Sequence, residues 1–238
     1  MAEIIPAILP KSYEELVEKL DIAAVHSSVV QIDICDGGYV PSRTWPYLKG
    51  PQVEDMFFNE IVDQEKALPH WEELNFEFDL MINNVSEKIP DFISAGASRI
   101  IVHRHSVTDE VLQGIITEYG KDAEEISMFD IELGIAIMPS DSVDTISAFA
   151  ENIHFVQVMG IEKIGFQGHT LSSKTVELVK AIRTAYPLLV ISVDGGVNLE
   201  TAPALIAAGA DRLVVGSALF NASDFSDTMN VLGGISLS

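Results

Sequence analysis

The chain has 238 residues, 47% of them hydrophobic, enough to build one large core. Its net charge of −22, from 36 acidic and 14 basic residues, argues against a nucleic-acid partner, because phosphate backbones need a basic face. One cysteine, Cys35, excludes an internal disulfide, Met1-Ala2-Glu3 brings no basic start for a signal peptide, and no apolar run approaches the roughly 20 residues of a membrane span.

Short β-rich runs alternate with helical periodicity along the whole chain. The expected strands are Ile4–Leu9, Val29–Ile34, Phe76–Ile82, Arg99–His103, Leu133–Ile137, His154–Met159, Leu188–Val193 and Arg212–Gly216. Amphipathic stretches lie between them, among them Tyr13–Ala24, Val85–Ser94, Ser172–Tyr186 and Leu199–Ala208. Eight such units in one chain of this length predict a single (β/α)8 TIM barrel over 1–238, rather than a doubly wound sheet. No GxGxxG follows the first strand. Two joints echo each other, Ile93-Ser94-Ala95-Gly96-Ala97 and Ile206-Ala207-Ala208-Gly209-Ala210, each a helix ending at glycine before a buried strand. The rhythm breaks at about 39–73, a segment with Trp45, Tyr47, Trp71, three prolines and a helical patch near Val53–Leu68. It is too long for an ordinary connection and reads as a lid, an interface element or a surface embellishment.

The second strand ends in Asp33-Ile34-Cys35-Asp36-Gly37-Gly38, and the seventh in Asp194-Gly195-Gly196. Buried carboxylates at strand tips are costly unless they bind or react with something. Alternation along a barrel strand turns Gln31, Asp33 and Cys35 inward together, likewise Glu77, Asp79 and Met81 on the third strand, and Ser192 with Asp194 on the seventh. Three aspartates in one mouth need a cation or raised pKa values to relieve their repulsion. Alternatively, Asp79 turns aside to cap a helix or bond a backbone amide. Glycine-bearing segments follow the late strands: Gly165-Phe166-Gln167-Gly168, Gly195-Gly196 and Gly216-Ser217. Their amides suit an anion such as a phosphate. Of the six histidines, His103 and His105 end the fourth strand and read as structural or solvent-facing. His169 follows the glycine loop and could help bind an anion. His26, His70 and His154 carry no signal.

The chain resembles the ribulose-phosphate 3-epimerase family over nearly its whole length. The resemblance is carried by Pro6-Ala7-Ile8-Leu9, by Asp33 through Pro41, and by Leu80-Met81-Ile82. It continues through Gly165–Gly168, Val193-Asp194-Gly195-Gly196-Val197, Ala208–Asp211 and Gly216–Phe220. It implies a phosphate-binding (β/α)8 barrel that inverts carbon 3 of a ketopentose phosphate through an enediolate, with Asp33 and Asp194 as the two acid/base groups beside a divalent metal. Gln31 and Asp79 stand where the family has metal-binding histidines, Ala7 where it has serine, and Cys35 where it has methionine. The implied ligand set, Gln31, Asp33, Asp79 and Asp194, is therefore all oxygen, which favours magnesium or manganese over zinc, or a metal-free site. The partner expected is a small phosphorylated sugar, in a cytoplasmic protein bound to neither nucleic acid nor membrane. A homo-oligomer is compatible with this reading. The competing readings are another isomerase or lyase on the same barrel, and a sugar-phosphate-binding or interaction protein without turnover. The missing lysine in Asp33-Ile34-Cys35-Asp36 counts against the decarboxylase relatives.

Overall fold

The computed structural model describes residues 2–50, 54–123, 131–166 and 168–235. Strand and helix alternate from the start: β1 (Glu3–Ile8), α1 (Tyr13–Ala23), β2 (Val29–Cys35), α2 (Met56–Val62), β3 (Asn75–Met81), α3 (Val85–Ser94), β4 (Ala97–His103) and α4 (Asp109–Tyr119). The second half runs β5 (Glu132–Ile137), β6 (Phe155–Met159), α5 (Ser173–Ala185), β7 (Val190–Asp194), α6 (Ala202–Ala208), β8 (Arg212–Val215), α7 (Ser217–Phe220) and α8 (Phe225–Gly233). Every strand pairs in parallel with its neighbour, and β8 closes on β1, with Glu3 beside Arg212 and Pro6 beside Val215. The architecture is a TIM barrel. Among the described residues, no helix is long and apolar enough to cross a membrane.

The helices form where caps and apolar spacing agree. Ser12 Oγ accepts a hydrogen bond from the Glu15 amide at the start of α1, and Leu16, Leu20 and Ala23 turn one stripe inward. Both echoed joints end in a left-handed glycine, Gly96 at φ 98° and Gly209 at φ 110°. Expected strand bounds hold within about two residues, the usual fraying of element ends. Two helical expectations shift. The 53–68 patch yields only Met56–Val62, stopped where Gln64 turns left-handed (residue 53 lies outside the described residues). The helix expected from Leu199 begins at Ala202, because Asn198 Oδ1 accepts from the amides of Glu200 and Thr201 and holds a turn there. Between β5 and β6, a single 3-10 turn, Val143–Ile146, stands where a full helix would complete the unit. Its serine- and aspartate-rich chain favours turns over helix, yet Ile146, Phe149 and Ala150 still pack into the core.

Alternation sorts the barrel into two cores. Ile32, Ile34, Phe78 and Leu80 face the helices. Cys35, Met81, Phe155 and Met159 fill the lumen. The segment after β2 is bound to the outer core: Trp45, Tyr47 and Phe58 are buried, and Trp45 meets Phe58 edge-on at 5.5 Å.

At the floor of the barrel sits Glu77, fully buried. Arg99 Nη1 is 3.6 Å from its carboxylate, too far for a hydrogen bond, and Arg212 lies nearby with its guanidinium 4.8 Å from the Phe155 ring. Burial pushes the Glu77 pKa up to about 7, against the pull of Arg99 and then Arg212. The folded chain therefore holds this proton more tightly than the unfolded one. The stabilisation is complete below about 4.5 and is lost as pH rises toward 7. Glu77→Gln removes that slope. Urea unfolding of both proteins should show the variant's advantage growing between pH 5 and pH 8, by up to about 3 kcal/mol. A difference independent of pH would contradict the assignment.

Candidate active site

β2, β3 and β7 deliver their aspartates to one end of the lumen. Strand register sets Asp33 directly beside Asp79, and Asp194 beside Met159. Oxygens of Asp33, Asp79 and Asp194 lie within 4.8 Å of one another. Asp79 faces this group rather than capping a helix. The tip of β2 is fixed by buried Thr44, whose hydroxyl donates to the Asp33 carbonyl at 2.9 Å and accepts from the Cys35 amide at 2.8 Å. Asp36 ties the next turn down: Oδ1 accepts from the amides of Gly38 and Tyr39, and Oδ2 from that of Asn83 beyond β3.

Two carboxamides hold the carboxylates in place. Gln31 Nε2 donates to Asp33 Oδ1 at 2.7 Å and to Asp194 Oδ2 at 2.8 Å, bridging the two. Gln157 Nε2, from β6, lies 3.3 Å from Asp79 Oδ2 and 3.5 Å from Asp194 Oδ2, while its Oε1 accepts from Ser192 Oγ at 3.3 Å. His103, 1% exposed, places Nε2 at 2.8 Å from Asp79 Oδ1. Burial raises the Asp33 pKa well above the carboxylate range, helped by repulsion from Asp194 and then Asp79, while the Gln31 hydrogen bond pulls it down. Asp194 is raised by burial and then by Asp79, and lowered by Gln31, His103 and the Gly195 amide.

Asp33 and Asp194 border a cavity of about 180 Å³. Ala7, Met81 and Met159 line it beside them. Gly165, Phe166, Gly168 and His169 border it from the loop after β6, Gly195 and Gly196 from the loop after β7, and Gly216 and Ser217 from the loop after β8. Gln167 lies outside the described residues. Gly196 has φ 70°, and a Cβ there would fall 2.5 Å from the Leu171 amide nitrogen, so only glycine lets these two loops meet.

An oxygen-seeking cation fits the donor set. Three carboxylates converge, and the buried Gln31 Oε1 has no hydrogen-bond partner among the described residues. A half-turn of the terminal amide would present that oxygen where Nε2 now points. Among the described residues, no imidazole points into the group in place of a carboxylate, and His103 reaches it only through Asp79.

The geometry gathers Asp33, Asp194, Met81 and the described glycine-loop residues at one cavity, with Gln31 and Asp79 buried behind the pair. His103 is buried rather than solvent-facing and touches this group through Asp79. Sequence reasoning also missed Gln157, Met159 and Asn198, all at the site. The signal was the same alternation that placed Asp33: Gln157 with Met159 on β6, and Ile101 with His103 on β4. His105 instead pairs with Asp141 at 3.0 Å, half exposed, and His154 accepts from the Leu133 amide.

Comparison with known proteins agrees with this architecture. The model of the ribulose-phosphate 3 epimerase family matches residues 3–220. Ribulose-phosphate 3-epimerase of Chlamydia muridarum is 30% identical over 212 residues, covering 87% of this chain and 82% of its own. That of Bacillus subtilis is 28% identical over 242 residues, covering 98% and 99%. Among solved structures, KGPDC from Streptococcus mutans superposes with a TM-score of 0.69 at 10% identity, covering 98% of this chain and 95% of that one. The 3-hexulose-6-phosphate synthase of Salmonella typhimurium gives 0.66 at 18% identity, covering 98% and 97%. These structures share the fold. The chain belongs to the ribulose-phosphate 3-epimerase family.

Proposed function

We propose that this member of the family inverts carbon 3 of a ketose phosphate of the ribulose 5-phosphate type, with Asp33 and Asp194 moving the protons. The observation that carries the proposal is the pair itself: a buried and a half-buried carboxyl group, bridged by one amide, facing one cavity whose other wall is built of glycine loops. The ionised member takes the carbon-3 proton, and the electrons of that C–H bond move toward the carbon-2 carbonyl to give an enediolate. The protonated member then gives its proton to the opposite face of carbon 3. One proton leaves and one returns, and the two carboxyl groups exchange protonation states. Burial and mutual repulsion raise both carboxyl groups, which favours one of them keeping its proton. The methionines Met81 and Met159 exclude water around the reacting carbon without offering it a competing acid.

Asp33, Asp79 and Asp194, with Gln31 turned to present Oε1 in place of its bridge, would hold a divalent cation, and such an ion would supply positive charge to the carboxylates and to the enediolate oxygens. Four oxygen donors suit magnesium or manganese better than zinc. The loops around Gly165–Gly168, Gly195–Gly196 and Gly216–Ser217 would take the phosphate, in a mouth otherwise too acidic for a dianion. The whole chain serves as one barrel domain in this reading, with 39–73 as an extension from which Trp45, Tyr47 and Phe58 pack against its side.

Asp33→Asn and Asp194→Asn should each lower epimerisation by at least about a hundredfold, since each removes one face's acid or base. Near-normal turnover of either variant, followed by a coupled assay for the product ketose phosphate, would contradict the pairing. Gly196→Leu should weaken binding of ribulose 5-phosphate far more than that of unphosphorylated ribulose, measured by calorimetry. Equal losses would count against the phosphate loops. Metal analysis of the purified protein, then titration with magnesium, manganese and zinc, should show the first two preferred. Tight stoichiometric zinc would contradict the donor argument.

A further inference from the structure

The three aspartates are not equivalent. Asp33 and Asp194 border the cavity, whereas Asp79 is fully buried behind them. Asp79 stands beside Asp33 in the strand register, so the charge of each pushes the other away. Its side chain has only two torsions and could swing clear of the pair. Donors from two other strands hold it instead. His103 Nε2, from β4, meets Oδ1 at 2.8 Å, and Gln157 Nε2, from β6, lies 3.3 Å from Oδ2. The contact joins an imidazole nitrogen to a carboxylate oxygen, and in the tautomer with its hydrogen on Nε2 the ring donates to Asp79. The imidazole itself has little freedom: it is buried, and the Tyr39 ring lies 5.6 Å away. Ser192 fixes the sense of the Gln157 amide from the opposite end.

We infer that His103 is a positioning residue for the reaction: it holds Asp79 as a fixed oxygen donor at the back of the Asp33–Asp194 pair. The imidazole acts through Asp79 and does not reach the cavity. This rests on the proposed epimerisation, and it assigns the site a histidine that serves neither as proton carrier nor as ligand. Held in this way, Asp79 keeps its charge aimed at the two proton-transfer groups, or at a cation bound among them. Released, it would leave the pair to a different electrostatic balance while the phosphate loops stayed as they were. The effect therefore belongs in kcat rather than in KM.

The test uses the full chain with His103→Leu, which removes the donor, and His103→Gln, whose Nε2 reaches about as far as the imidazole's. Crystal structures and kinetics with ribulose 5-phosphate are collected on both. The leucine variant should show Asp79 turned away from Asp33 and Asp194, with kcat at least about tenfold lower, the scale of losing a supporting hydrogen bond at such a site, and KM within about twofold. The glutamine variant should keep Asp79 in place and recover most of kcat. An unmoved Asp79 with full kcat in the leucine variant overturns the inference, as does equal impairment of both variants. Should the leucine variant fail to fold, His103→Met replaces it under the same criteria. A wild-type chain inactive on ribulose 5-phosphate defeats the proposed reaction, and the orientation of Asp79 in the crystal structures then decides the role of His103 alone.

Discussion

One amide nitrogen, Gln31 Nε2, donates to two carboxylates from strands at distant points of the chain, buried Asp33 on β2 and half-buried Asp194 on β7. Two negative groups brought out of water at this separation repel strongly, and each loses its hydration. The amide offsets part of that cost without removing the proton affinity that the crowding creates. The neutral carboxamide holds the pair together without cancelling its charge, so the site can keep a proton or, with the amide turned, take up a cation.

The barrel is what makes this arrangement reproducible. Closing eight parallel strands fixes which residues share a level in the lumen, so Asp33 and Asp79 are neighbours by register and Gln157 lies beside Ser192. Thr44 and Asp36 then hold the loop after β2 by hydrogen bonds to backbone rather than by bulk. Below this layer Phe155 and the Glu77–Arg99–Arg212 group close the floor, so the site opens at one end only. Its glycines allow the loops after β6 and β7 to approach within contact of each other.

Much of this was legible in the chain. Strand positions follow from apolar runs, and period-two alternation alone puts Gln31, Asp33, Asp79 and Asp194 in one lumen. The hydrogen bonds among them were not legible, because the partners lie far apart in sequence: Gln31 and Asp194 are separated by 163 residues. His103 and Gln157 obey the same alternation, but a lone histidine or glutamine near a strand end gives no sign of what faces it across a barrel. The turn between β5 and β6 was hidden for a local reason. Ile146, Phe149 and Ala150 keep a helical spacing of buried groups, while the backbone between them makes only a 3-10 turn. Family resemblance pointed to the aspartate pair and the glycine loops, and to positions 31 and 79 as the places where this site was expected to depart from the family pattern.

The central claim is that two different groups serve the two faces of carbon 3, and solvent isotope labelling tests it most directly. Ribulose 5-phosphate is turned over by the purified protein in deuterium oxide and sampled at early conversion by mass spectrometry and NMR. The account predicts product carrying one solvent deuterium at carbon 3, while the remaining substrate is still unlabelled. Product without deuterium at carbon 3, or label entering substrate and product equally from the start, would contradict it.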